Sequence, residues 1–202
     1  FNRKTNQGII MSNNSVEGSF SSDRSCSNCS PSDKVEIQIK SDNKNLILNG
    51  LPVQDEFAPN SICFGCGPSN IDGLQLKSYR SDGGLAAEFK CEKKHQAFPG
   101  VINGGIIGSL IDCHGNWTAA IAIMDKNGWE KPQCTVTAQY EIKLKRPTPL
   151  GIKLKLNSRV LVLQEDRAEV IIELKADGKT CATGRGLFVC VKEGHPAYHR
   201  WH

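Results

Sequence analysis

The chain has 202 residues, a formal net charge of +4, and 39% hydrophobic against 23% charged residues, enough for one domain with a real core plus a tail. Its Lys and Arg residues are spread out and alternate with apolar ones, which excludes the clustered basic face of a nucleic-acid binder. No run of eighteen or more apolar residues occurs, and the richest window, Val101 to Met124, carries Asn103, Asp112, His114 and Asn116, so it is not read as a membrane span.

In chain order, residues 1–45 are rich in Ser, Asn and charge and are predicted to be a disordered tail. Met11 is a candidate start, and Phe1-Asn2-Arg3-Lys4 opens no apolar leader, so a cytoplasmic location is expected. Val35 to Ile39 alternates like a short strand, and Leu46-Ile47-Leu48 with Leu51-Pro52-Val53 forms a second apolar patch, so 46–62 reads as an extra strand or an extension lying on the domain. The domain proper is placed at 63–194. Its first strand is predicted over Leu74 to Tyr79, turning at Asp82-Gly83-Gly84 into a partner over Leu85 to Lys90.

After the loop His95 to Gly100 comes one long helix, from about Gly104 to Met124. Ile106, Ile107, Leu110 and Ile111, then Trp117, Ile121 and Met124, recur at three- and four-residue steps with small residues between them, the pattern of a helix buried on every side. Asp112 breaks that pattern two turns in, where an ionised group costs several kcal/mol, on the order of the desolvation penalty, unless it is paired or used. Asn103 is a favoured N-cap, and Gly104-Gly105 leave backbone amides bare at the positive end of the helix, an anion or oxyanion site or simply a device for close packing. Four strands follow: Gln133 to Leu144, a break at Arg146-Pro147-Thr148-Pro149, Ile152 to Val162, Arg167 to Leu174, and Thr180 to Val191 after the Asp177-Gly178 turn. Two strands, a helix apolar all round and four strands make an α+β architecture, a curled antiparallel sheet wrapped around one central helix. Such a sheet has edges, which pairing with a second subunit would cover. Residues 195–202 form a C-terminal tail with three histidines and no metal spacing.

The chain has nine cysteines, with Cys-x-x-Cys pairs at Cys26/Cys29 and Cys63/Cys66. A four-cysteine zinc site can be drawn from the two pairs, but their separation exceeds that of a compact zinc ribbon and the first pair sits in the Ser/Asn-rich tail, so no metal is assigned. Cys91, Cys113, Cys134, Cys181 and Cys190 fall in apolar patterns and read as small buried hydrophobes. His114 is read as a packed histidine, and Asn116 and Trp117 as core or interface residues.

The segment from Cys63 to about Lys192 resembles the PaaI-like hotdog-fold acyl-CoA thioesterases. The likeness lies in Cys63-Phe64-Gly65-Cys66-Gly67 with Gly73-Leu74, in Asn103-Gly104-Gly105 followed by Asp112 (where the family has His-Gly-Gly and an acid nine residues after the His), and in a strand ending at Arg146-Pro147-Thr148-Pro149. The resemblance implies hydrolysis of an acyl-CoA thioester by a homodimer or homotetramer, with sites at subunit interfaces and no cofactor beyond the coenzyme A of the substrate. It makes Asp112 the general base or nucleophile and the Gly104 N–H the oxyanion donor beside Asn103. Gln96 would orient water or carbonyl, and Thr137 would reach the site from the partner chain. Gly105 and His95 become candidate substrate contacts. Lys145 and Arg146, with Lys143, lie near a Pro-rich strand end and read either as contacts to the nucleotide phosphates or as a solvated strand end. Asn103 in place of the family His removes a titratable group and keeps open a second reading, a non-catalytic acyl-CoA-binding module. A hydratase, which wants that His, and a zinc-dependent module rank behind both.

Overall fold

A computed structural model describes residues 50–201. The apolar alternation at 35–39, the patch at 46–48 and the Cys26/Cys29 pair lie outside the described residues. Helix α1 (Val53–Phe57) opens the described part. Strands β1 (Ser78–Ser81) and β2 (Gly84–Lys90) form a hairpin, followed by a single 3-10 turn at Lys93–His95 and a small ribbon of β3 (Gln96–Phe98) with β4 (Val101–Ile102). Helix α2 runs from Gly104 to Asn127, and β5 (Thr135–Leu144), β6 (Lys153–Leu163), β7 (Arg167–Ala176) and β8 (Lys179–Cys190) complete the set.

The six long-sheet strands pair antiparallel in the order β1-β2-β6-β7-β8-β5. The sheet curls around α2, which packs on β2, β5, β6, β7 and β8. That enclosure is why every residue from Cys113 to Ile121 is buried: a helix without a polar face is stable only when each side has apolar partners. Close approach depends on missing side chains. A Cβ on Gly184 of β8 would lie 2.3 Å from Ile111 Cγ2, and one on Gly115 would lie 2.8 Å from Phe188 Cζ, so these glycines set how near the helix comes to the sheet.

The predicted architecture holds, and the structure corrects it in four places. Leu51 to Val53 is not strand: α1 buries Val53 and Gln54, and the Gln54 side chain bonds both the amide and the hydroxyl of Ser78 (2.8 and 3.1 Å), so this segment packs as an extension on the domain. Sheet pairing begins at Ser78, later than Leu74, because Gln75 takes a positive φ and Leu74 and Leu76 instead donate to the carbonyls of Phe64 and Gly65. The helix continues to Asn127 and stops at Gly128, whose left-handed φ closes it. The residues after 194 are not a loose tail: Trp201 is buried, stacked 4.3 Å from Trp117.

Candidate active site

Asp112 sits on α2 facing a pocket lined by Cys63, Cys66, Cys113, Asn116, Trp117, Thr137, Arg200 and Trp201. Its neighbours along the helix, Ile111 and Cys113, are buried, whereas Asp112 keeps partial exposure. Thr137 Oγ1, on β5, donates to Asp112 Oδ1 at 2.7 Å. Burial holds the carboxyl above the usual aspartate range, while the Thr137 hydrogen bond and the nearby Arg200 charge pull it the other way. Thr137 and Asp112 thus meet within one chain. The register of β5 on β8, with a bulge between Thr137 and Gln139, places the hydroxyl there.

At the start of α2, outside that pocket, Asn103 caps the helix as predicted: its Oδ1 accepts from the Gly105 N–H at 2.7 Å. The Gly105 amide is therefore engaged by the cap, which leaves the Gly104 N–H, at the first helical position, ahead of the intrahelical ladder. A Cβ on Gly104 would lie 3.3 Å from Leu144 Cδ1, so the helix start abuts the end of β5. Two further links sew this corner together: Ile102 N–H donates to Thr148 O at 2.9 Å, and Leu150 N–H to Gly100 O at 2.9 Å. Lys145 and Arg146 follow directly on β5, with exposed side chains and both backbone amides bonded to the Cys181 carbonyl.

The loop residues behave differently from the expectation. Gln96 uses its side chain within its own loop, accepting from Gly100 N–H at 2.7 Å and donating to Lys93 O at 2.9 Å. His95 is buried, accepts from Glu92 N–H at 3.1 Å, and stacks on Phe89; it braces the turn, and burial lowers its basicity. His114 is the packed histidine anticipated. Its Nδ1 meets Ser78 Oγ at 2.9 Å and its Nε2 meets Leu85 O and Ser158 Oγ, both at 3.2 Å, and burial drives its pKa down to about 4.

Two groups of residues were missed from sequence. Cys113 is not merely a small hydrophobe: its Sγ lies 3.7 Å from Cys63 Sγ, and hydrogen bonds from Cys113 and Cys66 lower the Cys63 thiol well below its ordinary value. The Cys63-x-x-Cys66 spacing was the available signal, but nothing in it pointed to position 113. Arg200 donates from Nη2 to Thr135 O at 2.6 Å and to Asn116 Oδ1 at 3.2 Å, which makes the segment after β8 one wall of the pocket. Asn116 and Trp117, read as core, are buried and line the pocket as well.

A six-stranded antiparallel sheet wrapped around one long helix, with the acid two turns from a glycine-rich helix start, defines a hotdog-fold protein. No family model and no curated protein matches the sequence. Among solved structures, a thioesterase superfamily protein from Shewanella loihica PV-4 is similar at 34% identity over 58% of this chain and 91% of its own, with a TM-score of 0.50. A second thioesterase superfamily protein matches at 20% identity over 69% of this chain and 96% of its own, TM-score 0.54. A phenylacetic acid degradation-related protein of Ralstonia eutropha JMP134 matches at 21% identity over 57% and 85%, TM-score 0.48. On the first of these, the chain belongs to the thioesterase superfamily.

Proposed function

We propose that this protein hydrolyses an acyl-CoA thioester to the free acid and coenzyme A. The observation that carries the reading is Asp112: a half-buried carboxylate in a pocket, held by Thr137, on the helix whose first turn offers the Gly104 amide. In this mechanism Asp112 takes a proton from water as the water oxygen bonds to the thioester carbon. Charge builds on the carbonyl oxygen, which the Gly104 N–H and the positive end of α2 stabilise. Collapse of that intermediate breaks the C–S bond, and the proton held by Asp112 passes to the leaving thiolate. A carboxylate less acidic than ordinary aspartate is the stronger base for the first step.

Helix length supports a site shared between two chains. Eight residues separate Gly104 from Asp112, a rise of about 12 Å along the axis, so a chain's own amide and its own carboxylate cannot act on the same carbonyl. A homodimer that sets Gly104 of one copy beside Asp112 of the other solves this, with the exposed Lys145 and Arg146, which follow Leu144 in the chain, available to the phosphates of coenzyme A. The two-chain reading rests on that helix length. Among the described residues, no helix is long and apolar enough to cross a membrane.

The test is thiol release from a panel of short, long and aromatic acyl-CoA substrates, with Asp112→Asn alongside. The expected result is turnover of at least one class and a loss of two or more orders of magnitude in kcat for the variant, as for removal of a general base. Hydrolysis by Asp112→Asn within threefold of the parent overturns the mechanism. Saturable binding of acyl-CoA with no thiol release would favour the binding module that Asn103, in place of the family His, keeps in view.

A further inference from the structure

We propose that Cys63, Cys66 and Cys113 bind a zinc ion beside Asp112. The three sulfurs lie within 4.8 Å of one another, with Cys63 and Cys113 at 3.7 Å. Thiolates placed tetrahedrally at the usual zinc–sulfur distance of about 2.3 Å are separated by about 3.8 Å, so the set needs little movement to close on a metal. Two of the three come from one turn and the third from the helix, and glycines make the meeting sterically possible. A Cβ on Gly65 would lie 2.4 Å from Cys113 Sγ, and one on Gly67 would lie 2.4 Å from both Cys63 N and Ser61 O. The turn is shaped for it: Gly67 N–H donates to Cys63 O at 2.8 Å, while the amides of Leu74 and Leu76 hold Phe64 O and Gly65 O at 2.7 and 3.0 Å.

The surroundings also fit a metal. Trp117 Nε1–H donates to Cys66 Sγ at 3.3 Å, the kind of outer contact that orients a thiolate ligand. A disulfide would join two of the sulfurs and leave the third without a role, whereas a soft divalent ion uses all three. Among the described residues this is the one group of three or more Cys, His, Asp or Glu side chains close enough to share an ion. All three cysteines line the Asp112 pocket, so a fourth ligand, a water, comes from the pocket side. Zinc with three thiolates carries net negative charge, which suits a clamp and not an electrophile. The clamp ties the segment before β1 to α2 at the level of Asp112 and fixes one wall of the pocket.

The experiment needs no activity assay, so its outcome is separate from that of the thioesterase reading. The full chain is purified with reductant and without metal-affinity resin, and its zinc is measured by elemental analysis. The metal-free protein is then titrated anaerobically with Co²⁺. The expected result is about one zinc per chain, and a cobalt form with intense near-ultraviolet thiolate-to-metal absorption and the visible bands of a four-coordinate site. Cys63→Ser, Cys66→Ser and Cys113→Ser should each lose zinc and that absorption, while Cys91→Ser and the Cys26→Ser/Cys29→Ser pair should keep both. Absence of the charge-transfer band from the reduced parent chain overturns the proposal, as does zinc retained by Cys113→Ser or lost with Cys26 and Cys29. The parent cobalt spectrum decides the matter even where a serine variant fails to fold.

Discussion

Asp112 and His114 stand two residues apart on one helix and are tuned in ways that pH separates. Burial raises the Asp112 carboxyl, so the folded chain binds that proton more tightly than the unfolded chain does. Its contribution to stability is therefore best at low pH and is lost as pH rises through the folded value. Activity runs the other way, since the ionised form is the base, and the acid limb of kcat/KM should lie above the ordinary aspartate range of about 3.9. Thr137→Val removes the hydrogen bond that favours the charge, so that limb should move to still higher pH; a limb unmoved or lowered would refute the role given to Thr137. Asp112→Asn should leave the melting temperature at neutral pH unchanged or raised, because a buried charge is relieved. His114 shows the opposite linkage. Its folded value of about 4 lies below the ordinary 6.5, so stability is full above 6.5 and falls as pH drops toward 4, by on the order of 3 kcal/mol. Urea unfolding between pH 7 and 4 should show that slope in the parent and a flatter one in His114→Gln.

At the level of elements, the contact between α2 and the sheet is set by absent side chains. Gly184→Ala would drive a methyl carbon to 2.3 Å from Ile111 Cγ2, and both groups lie on rigid elements. Overpacking of this kind costs roughly 1–3 kcal/mol, and the melting temperature should fall by about 2–4 °C for each kcal/mol in a domain of this size. Gly178→Ala on the β7–β8 turn is a useful contrast, because nothing lies within 4 Å of its Cβ position and only its positive φ resists the change. A smaller loss at Gly184 than at Gly178 would mean that the helix has room to shift. The end of the described chain is an element in its own right. Removing residues 195–202 takes Trp201 off Trp117 and Arg200 off Asn116 and Thr135, so the truncated chain should melt lower and show increased Trp117 solvent accessibility by fluorescence quenching. An unchanged melting temperature would show that the wall it forms is not coupled to the core.

For the whole molecule, β5 matters most. It is an edge strand of ten residues whose run from Ala138 to Glu141 is exposed, with Tyr140 49% and Leu144 58% accessible. A long uncovered edge carrying apolar side chains invites pairing with another chain, and the same strand supplies Thr137 and ends against Gly104, so a symmetric pairing there would bring two sites together. Light scattering at micromolar concentration should show a dimer or tetramer, and Tyr140→Lys with Leu144→Lys should shift it toward monomer with loss of turnover. An active monomer would refute the two-chain site.

Local chemistry was legible in the residues because it repeats along the chain. Alternation gave the six strands, a three-to-four-residue apolar period gave α2, Asp-Gly pairs gave two of its turns, and a lone acid in an apolar helix gave Asp112. Asn103 as cap and His114 as packed core followed from the same local rules. What local pattern could not carry was which distant residues meet. Thr137 reaches Asp112 across 25 positions, Cys113 meets Cys63 across 50, and Arg200 reaches Asn116 across 84. Those encounters depend on sheet register and on the curl of the sheet around α2, which are set by packing of the whole core. The helix, the sheet pattern, the acid and its distance from Gly104 along the helix were determined by the sequence alone; the pocket wall and the three-sulfur cluster were decided only when the chain closed on itself.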